Sequence, residues 1–83
     1  MPVVAKVDGV RIMFYANEHP PPHFHAEIAE HRAVIDIASL TVTEGFLPIA
    51  KRRTILDWAL SRQRHLSLAF VRATAHEKVE PIA

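Results

Sequence analysis

Cysteine is absent from the 83 residues of this chain, and glycine occurs only twice. The absence of cysteine excludes disulfides, thiolate metal sites and cysteine nucleophiles. No apolar run approaches the length needed to cross a membrane, and the amino terminus lacks the layout of a signal peptide. Neither sign of charge dominates, because ten basic residues stand against nine acidic ones. We therefore expect a cytoplasmic protein without membrane contact, in which any contact with nucleic acid is local.

The length of the chain limits what it can contain. A chain of 83 residues with 49% apolar content forms one compact domain, which we place over residues 1–83. Small domains bury a modest share of their surface and often depend on a partner or on a second copy of themselves. We therefore expect one functional site and self-association into a homo-oligomer.

The first half of the chain has the pattern of β-strands and the second half that of a helix. Pro48 suits the first turn of a helix, and residues 49–75 contain neither glycine nor proline, which favours one long helix. The predicted fold class is α+β, an antiparallel sheet of four to five strands built from β-hairpins, followed by a long carboxy-terminal helix packed on one face. Strands are predicted at 3–7 and 10–16, joined by a turn at Asp8-Gly9, then at 23–28, 32–37 and 40–43, with a turn at 29–31.

Residues 19–25 contain three histidines and three prolines in the order His-Pro-Pro-Pro-His-Phe-His. On a strand, His23 and His25 leave the same face, and Phe24 points to the core. Imidazole moves protons near neutral pH and binds transition metals. The prolines reduce the entropy lost when His19 is held near the other two histidines, so we predict a functional site here. The alternative is an ordinary polar strand face.

Two chemical interpretations of the histidines remain open. In the first, His23 and His25 bind a divalent metal such as zinc, with His19, Glu27 or Asp36 as the third ligand. In the second, the same two histidines are the acid and base of phosphodiester cleavage, and an arginine of the same sheet face binds a phosphate. Alternation places the polar residues of that face together with the histidines: Arg11, Tyr15, Glu27, Arg32 and Asp36.

Three further segments accompany the histidine motif and carry a family resemblance. The segment 14–27 (FYANEHPPPHFHAE), followed by AVIDI at 33–37, GFLP at 45–48 and LDWA at 56–59, resembles the small bacterial family known as domain of unknown function 4160. The resemblance spans nearly the whole chain. The chain departs from the family at the turn 29–31, where glycine is usual, and in its arginine-rich helix. The motif positions that match are Asn17, Glu18, His19, Pro21, Pro22, His23, Phe24 and His25.

The resemblance implies a toxin. Members of the family are commonly encoded beside domain of unknown function 2442, and the pair is described as a toxin–antitoxin module. We therefore expect a type II toxin with a cognate antitoxin, and a ribonuclease or another phosphodiester hydrolase if it acts on RNA. The candidate catalytic residues are Tyr15, Glu18, His19, His23 and His25, and the candidate substrate-binding residues are Arg11, Asn17 and Arg32. The alternative function is a non-catalytic module that binds a metal or a protein, with structural histidines.

A helical wheel separates the apolar residues of the predicted helix into two groups. Trp58 and Leu68 fall outside the stripe that is expected to face the core. Tryptophan is favoured in protein interfaces, so we predict that Trp58 and Leu68 bind the antitoxin or a second subunit. The predicted core stripe consists of Ile49, Leu56, Ala59, Leu60, Leu66 and Phe70.

Overall fold

The computed structural model describes residues 3–83, which form a five-stranded antiparallel sheet followed by two helices. The α+β class and the antiparallel sheet are therefore confirmed. Residues 1 and 2 of the predicted domain lie outside the described residues. The strands are adjacent in chain order, and the elements are β1 (Val3–Val7), β2 (Val10–Met13), β3 (His23–Ile28), β4 (His31–Asp36), β5 (Thr41–Gly45), α1 (Ile49–Leu60) and α2 (Gln63–Thr74).

Tight turns join the strands of the first hairpin and of the central hairpin. Asp8 and Gly9 have φ angles of 51° and 81°, as the two central residues of a type I′ turn require. Ala29 occupies the corresponding position between β3 and β4 with a φ of 51°. This left-handed conformation costs a residue with a β-carbon about 1 to 2 kcal/mol of conformational free energy, which glycine would avoid at this position. The predicted bounds of β2, β4 and β5 differ from the observed ones by one to three residues.

The prediction of one long helix is wrong, because the helix is interrupted at Ser61 and Arg62. The backbone N–H of Arg62 donates to the Ala59 carbonyl rather than to the carbonyl of Trp58. The Trp58 carbonyl instead accepts a 2.8 Å hydrogen bond from the Arg62 guanidinium. A side chain thus replaces a helical backbone donor and ends α1 without glycine or proline. Neither helix within residues 3–83 has the length and apolar character to span a bilayer.

One hydrophobic cluster joins the sheet to both helices. Ile49 and Leu60, two members of the predicted core stripe, are 60% and 63% exposed, whereas Ile55 is fully buried. At 3.6 residues per turn, Ile49 and Leu60 lie about 120° and 140° around α1 from Ile55, so they point away from the sheet. The buried residues of the cluster that come from the central strands and the helices are Val10, Ile12, Phe24, Ala26, Ala33, Ile35, Ile55, Ala59, Leu66, Ala69, Phe70 and Ala73.

Trp58 does not lie outside the core as the wheel predicted. Its ring is half-buried, packs against the hydrophobic cluster and meets the ring of Phe24 edge to face at 6.5 Å. The Arg62 guanidinium lies 5.2 Å from the centre of the indole and covers part of it. Leu68, in contrast, is 47% exposed. A partner contact through Leu68 stays a prediction, and Trp58 offers only its uncovered edge to such a contact.

Candidate functional site

Strand β3 has its histidines on one face and its buried apolar residues on the other. Phe24 and Ala26 are fully buried, whereas His23 and His25 are partly exposed. His23 lies opposite Asp36, and His25 lies between Met13 and Val34 of the neighbouring strands. Met13 is only 2% exposed, so this face is more enclosed than a fully solvated sheet surface. The strand therefore fixes the two imidazoles side by side in partly sheltered positions.

A carboxylate from the preceding loop joins the two imidazoles. The Oε1 atom of Glu18 is in hydrogen-bond contact with Nε2 of His25 and lies 3.4 Å from Nε2 of His23. The three potential ligand atoms all lie within 4.8 Å of one another. We refer to this group as the Glu18–His23–His25 centre.

The proline run holds one imidazole directly. The Pro21 carbonyl lies 2.9 Å from Nδ1 of His23, and because a carbonyl can only accept, Nδ1 carries the hydrogen. This contact assigns the tautomer of His23, so that Nε2, which faces Glu18, carries the lone pair whenever the ring is neutral. The Pro22 carbonyl accepts a 3.1 Å hydrogen bond from the Ile37 N–H, which ties the loop to the end of β4. The Pro20–Pro21 peptide bond is cis.

Aromatic rings enclose the centre on two sides. Tyr15 meets the ring of His25 edge-on, with the ring centres 4.4 Å apart. Phe70 of α2 lies 5.1 Å from the ring of His23. The two imidazoles are themselves 5.5 Å apart. These contacts restrict the rotamers of both histidines, so the centre does not depend on hydrogen bonds alone.

Burial, hydrogen bonds and nearby charges shift the pKa values of two acidic groups at or beside the centre. Burial acts to raise the pKa of Glu18, but the hydrogen bonds from His25 and then His23 outweigh it, so the pKa is lowered. Burial raises the pKa of Tyr15, and the negative charge of Glu27 adds to that effect. At neutral pH the centre therefore contains an ionised carboxylate beside a neutral phenol.

An open cleft with a volume of about 310 Å³ adjoins His25. Arg32 is the basic residue of its wall, and its side chain is 81% exposed. Two carboxylates also line the cleft, and one of them, Glu27, pairs with Arg11 at 3.0 Å. The cleft therefore offers one exposed cation beside the centre. Its lining side chains include Tyr15, His25, Glu27, Arg32, Val34 and Glu44.

The structure brings some of the predicted site residues together and leaves others apart. His19 and Asn17 are exposed, and His19 is not part of the centre although it neighbours Glu18 in the chain. Glu27 is paired with Arg11, and Asp36 accepts hydrogen bonds from Ser39. The three candidates for the third metal ligand were His19, Glu27 and Asp36, and none of them is part of the centre. Glu18 supplies its carboxylate instead.

Two contributions to the site had no clear signal in the sequence. The Pro21 carbonyl acts through the backbone, which a motif of side chains does not reveal. Glu44 of β5 lines the cleft and pairs with Val34 of β4. The pairing of these two strands is irregular, because its register shifts between Val34 and Ile35. Cross-strand pairing with an irregularity cannot be read from residue alternation alone, so Glu44 was missed.

A family model described as Domain of unknown function (DUF4160) matches residues 9–70. The chain belongs to this family. The DUF4160 match begins within the first hairpin and ends in α2, so it contains all three residues of the centre and every residue that lines the cleft. No curated protein and no solved structure shows a significant match to the chain.

Proposed function

We propose that this DUF4160 protein is the toxin of a bacterial type II toxin–antitoxin module and that it cleaves RNA in the cytoplasm through the Glu18–His23–His25 centre. The observation that supports the proposal is the convergence of one carboxylate and two imidazoles beside a cleft that contains an arginine. Side chains with these chemical properties, held together in a partly sheltered position, are typical of hydrolytic sites.

Hydrolysis of a phosphodiester requires a proton acceptor, a proton donor and a cation. A water oxygen bonds to phosphorus, and the ester bond from phosphorus to the departing oxygen breaks. The centre removes one proton from the water and supplies one proton to the departing oxygen, so no other reactant is needed. The Glu18 carboxylate and the imidazoles of the centre are the groups that hold and transfer these protons.

Arg32 is the candidate phosphate ligand. Among residues 3–83, the carboxylate that pairs with it is that of Glu27, and because this separation of 3.7 Å is long, the exposed guanidinium can turn towards a phosphate. A guanidinium can form two parallel hydrogen bonds with a phosphate. Arg11 is already engaged by Glu27 at 3.0 Å, so we assign it to neutralising Glu27 rather than to direct substrate binding.

A toxin must be inactive while its antitoxin is bound. We place the antitoxin contact, and a self-association contact, at the exposed Leu68 and at the uncovered edge of Trp58. Leu68 borders a groove between α2 and the segment 79–83, and the walls of this groove contain Arg62 and Arg72. An acidic, partly apolar antitoxin segment would match this combination of side chains.

The proposal is tested by growth inhibition during controlled expression without the antitoxin. The wild type is expected to arrest growth. Cells that express the His23→Ala/His25→Ala double variant are expected to keep growing, because the groups that transfer protons are lost. His19→Ala is the matched control, because His19 is an exposed histidine of the same loop outside the centre. Purified variants are checked for folding by circular dichroism. Growth arrest by a folded double variant as strong as that of the wild type would refute the role of the centre.

A second candidate function is a non-catalytic module that binds a metal or a protein partner. It is favoured by the position of Glu18, whose Oε1 atom faces the Nε2 atoms of both histidines. The atoms that would exchange protons with a substrate are therefore already engaged. A wild-type protein that binds its partner or a metal and does not inhibit growth when expressed alone would favour this function over the toxin.

A further inference from the structure

We propose that Glu18, His23 and His25 bind one divalent transition-metal ion with the ligand preferences of zinc. The ligand atoms are Oε1 of Glu18 and Nε2 of each histidine. Binding itself follows from the ligand set, and the inference rests on the proposed function only for the use of the ion. With an ion bound, the three atoms would be ligands, and a water on the ion would take over the role of nucleophile from a water activated by the free side chains. A metal ion would also explain why the three donor atoms converge on one another.

One of the distances between the ligand atoms matches the spacing around a tetrahedral ion. With metal–ligand bonds of about 2.0 to 2.1 Å, two ligands of a tetrahedral ion lie about 3.3 Å apart. The distance from Oε1 of Glu18 to Nε2 of His23 is 3.4 Å. His25 is closer to the carboxylate than a shared ion permits, so its contact with Glu18 must open when the ion enters. Glu18 comes from a loop and its side chain is partly exposed, so the carboxylate has room to move away from His25.

The second contact of His23 is the one that metal-binding histidines usually make. A ligating imidazole commonly donates its other ring N–H to a carbonyl or a carboxylate, which fixes the tautomer and directs the lone pair at the metal. Nδ1 of His23 donates to the Pro21 carbonyl at 2.9 Å, so Nε2, which faces Glu18, is the ring atom available to an ion. The backbone of the proline run thereby prepares His23 for binding before any ion is present.

The chemistry of the donor set narrows the choice of ion. Two imidazoles and one carboxylate suit zinc and other first-row transition metals, whereas magnesium and calcium prefer oxygen ligands alone. Three protein ligands leave a coordination position for water, as in hydrolytic zinc sites. Within residues 3–83, this is the group of three such side chains whose ligand atoms converge. The other histidines of the chain, His19, His31, His65 and His76, do not belong to it.

The test is zinc binding by isothermal titration calorimetry, with protein that carries no histidine tag. The wild type and His19→Ala are expected to bind one Zn²⁺ per chain with the same affinity. Glu18→Gln, His23→Ala and His25→Ala are each expected to weaken that binding by at least about tenfold, because each removes a ligand. Replacement by Co²⁺ is expected to produce visible absorption bands in the wild type that Glu18→Gln lacks. Glu18→Gln retains the shape of the side chain, so its effect does not depend on unfolding.

Two results would overturn the metal site. One is the absence of saturable Zn²⁺ binding by the wild type. The other is equal binding by the wild type and by all three ligand variants, which would place the ion on other histidines. Growth inhibition that depends on His23 and His25 in a protein that binds no metal would refute this inference but keep the proposed function. Metal binding by a protein that does not inhibit growth would support this inference and refute the proposed toxin.

Discussion

Gly45, at the end of β5, is predicted to be the glycine whose replacement costs the most. Its φ is 79°, and a β-carbon placed there would lie 2.1 Å from the carbonyl oxygen of Arg32. The same carbonyl accepts a 2.8 Å hydrogen bond from the Phe46 N–H. A side chain at Gly45 therefore has to push β5 away from β4 and break this hydrogen bond. Because Gly45 and Arg32 both line the cleft, the change also alters the candidate site.

The cost of Gly45→Ala can be estimated from these contacts. The left-handed conformation costs about 1 to 2 kcal/mol for a residue with a β-carbon. The broken hydrogen bond adds about 1 kcal/mol, and displacement of the strand adds to both. We expect the free energy of unfolding to fall by about 2 to 4 kcal/mol. Gly9→Ala is the matched control, because Gly9 has a φ of 81° but its β-carbon would meet only Ile28 Cδ1 at 3.6 Å.

The assay is urea unfolding followed by the fluorescence of Trp58, the single tryptophan of the chain. Gly9→Ala is expected to cost about 1 to 2 kcal/mol, the conformational part alone. The difference between the two variants then measures the steric contact with the Arg32 carbonyl. Equal losses for Gly45→Ala and Gly9→Ala would refute this reasoning.

Two further predictions concern Asp36 and Trp58. Hydrogen bonds from the Ser39 N–H and then its hydroxyl lower the pKa of Asp36, so carboxyl NMR should place its titration below the usual aspartate range, and Ser39→Ala should raise the midpoint. Because folding lowers the pKa of Asp36, its ionised carboxylate stabilises the fold at any pH above the pKa that Asp36 has in the unfolded chain. This stabilisation is lost as the pH falls through the pKa of Asp36 in the folded protein. An unshifted titration would contradict the assignment. Trp58→Ala should lower the free energy of unfolding by about 2 kcal/mol, since the ring is half-buried against Phe24. Unchanged urea unfolding by circular dichroism would show that Trp58 is a surface residue.

The sheet was predictable because strand alternation depends on adjacent residues. The bounds of β3, His23–Ile28, were predicted as observed, and so was the burial of Phe24 opposite the histidines. The first hairpin was predictable from Asp8-Gly9, whose positive φ angles suit the turn. These features rest on local backbone preferences, which the sequence expresses directly.

The helix break and the third member of the centre depend on contacts that local patterns do not encode. Arg62 ends α1 by donating its guanidinium to the Trp58 carbonyl, and arginine is otherwise a good helix former. Glu18 reaches His25 from a loop, where no periodicity indicates the direction of a side chain. Choosing Glu18 over His19 therefore required the three-dimensional path of the proline loop.

The claim that Glu18, His23 and His25 form one functional unit is tested most directly by RNA cleavage with purified protein. The wild type and His19→Ala are predicted to cleave RNA at the same rate, whereas Glu18→Gln, His23→Ala and His25→Ala are each predicted to lose the activity. Cleavage by Glu18→Gln at the wild-type rate, or the absence of cleavage by the wild type, would contradict the account.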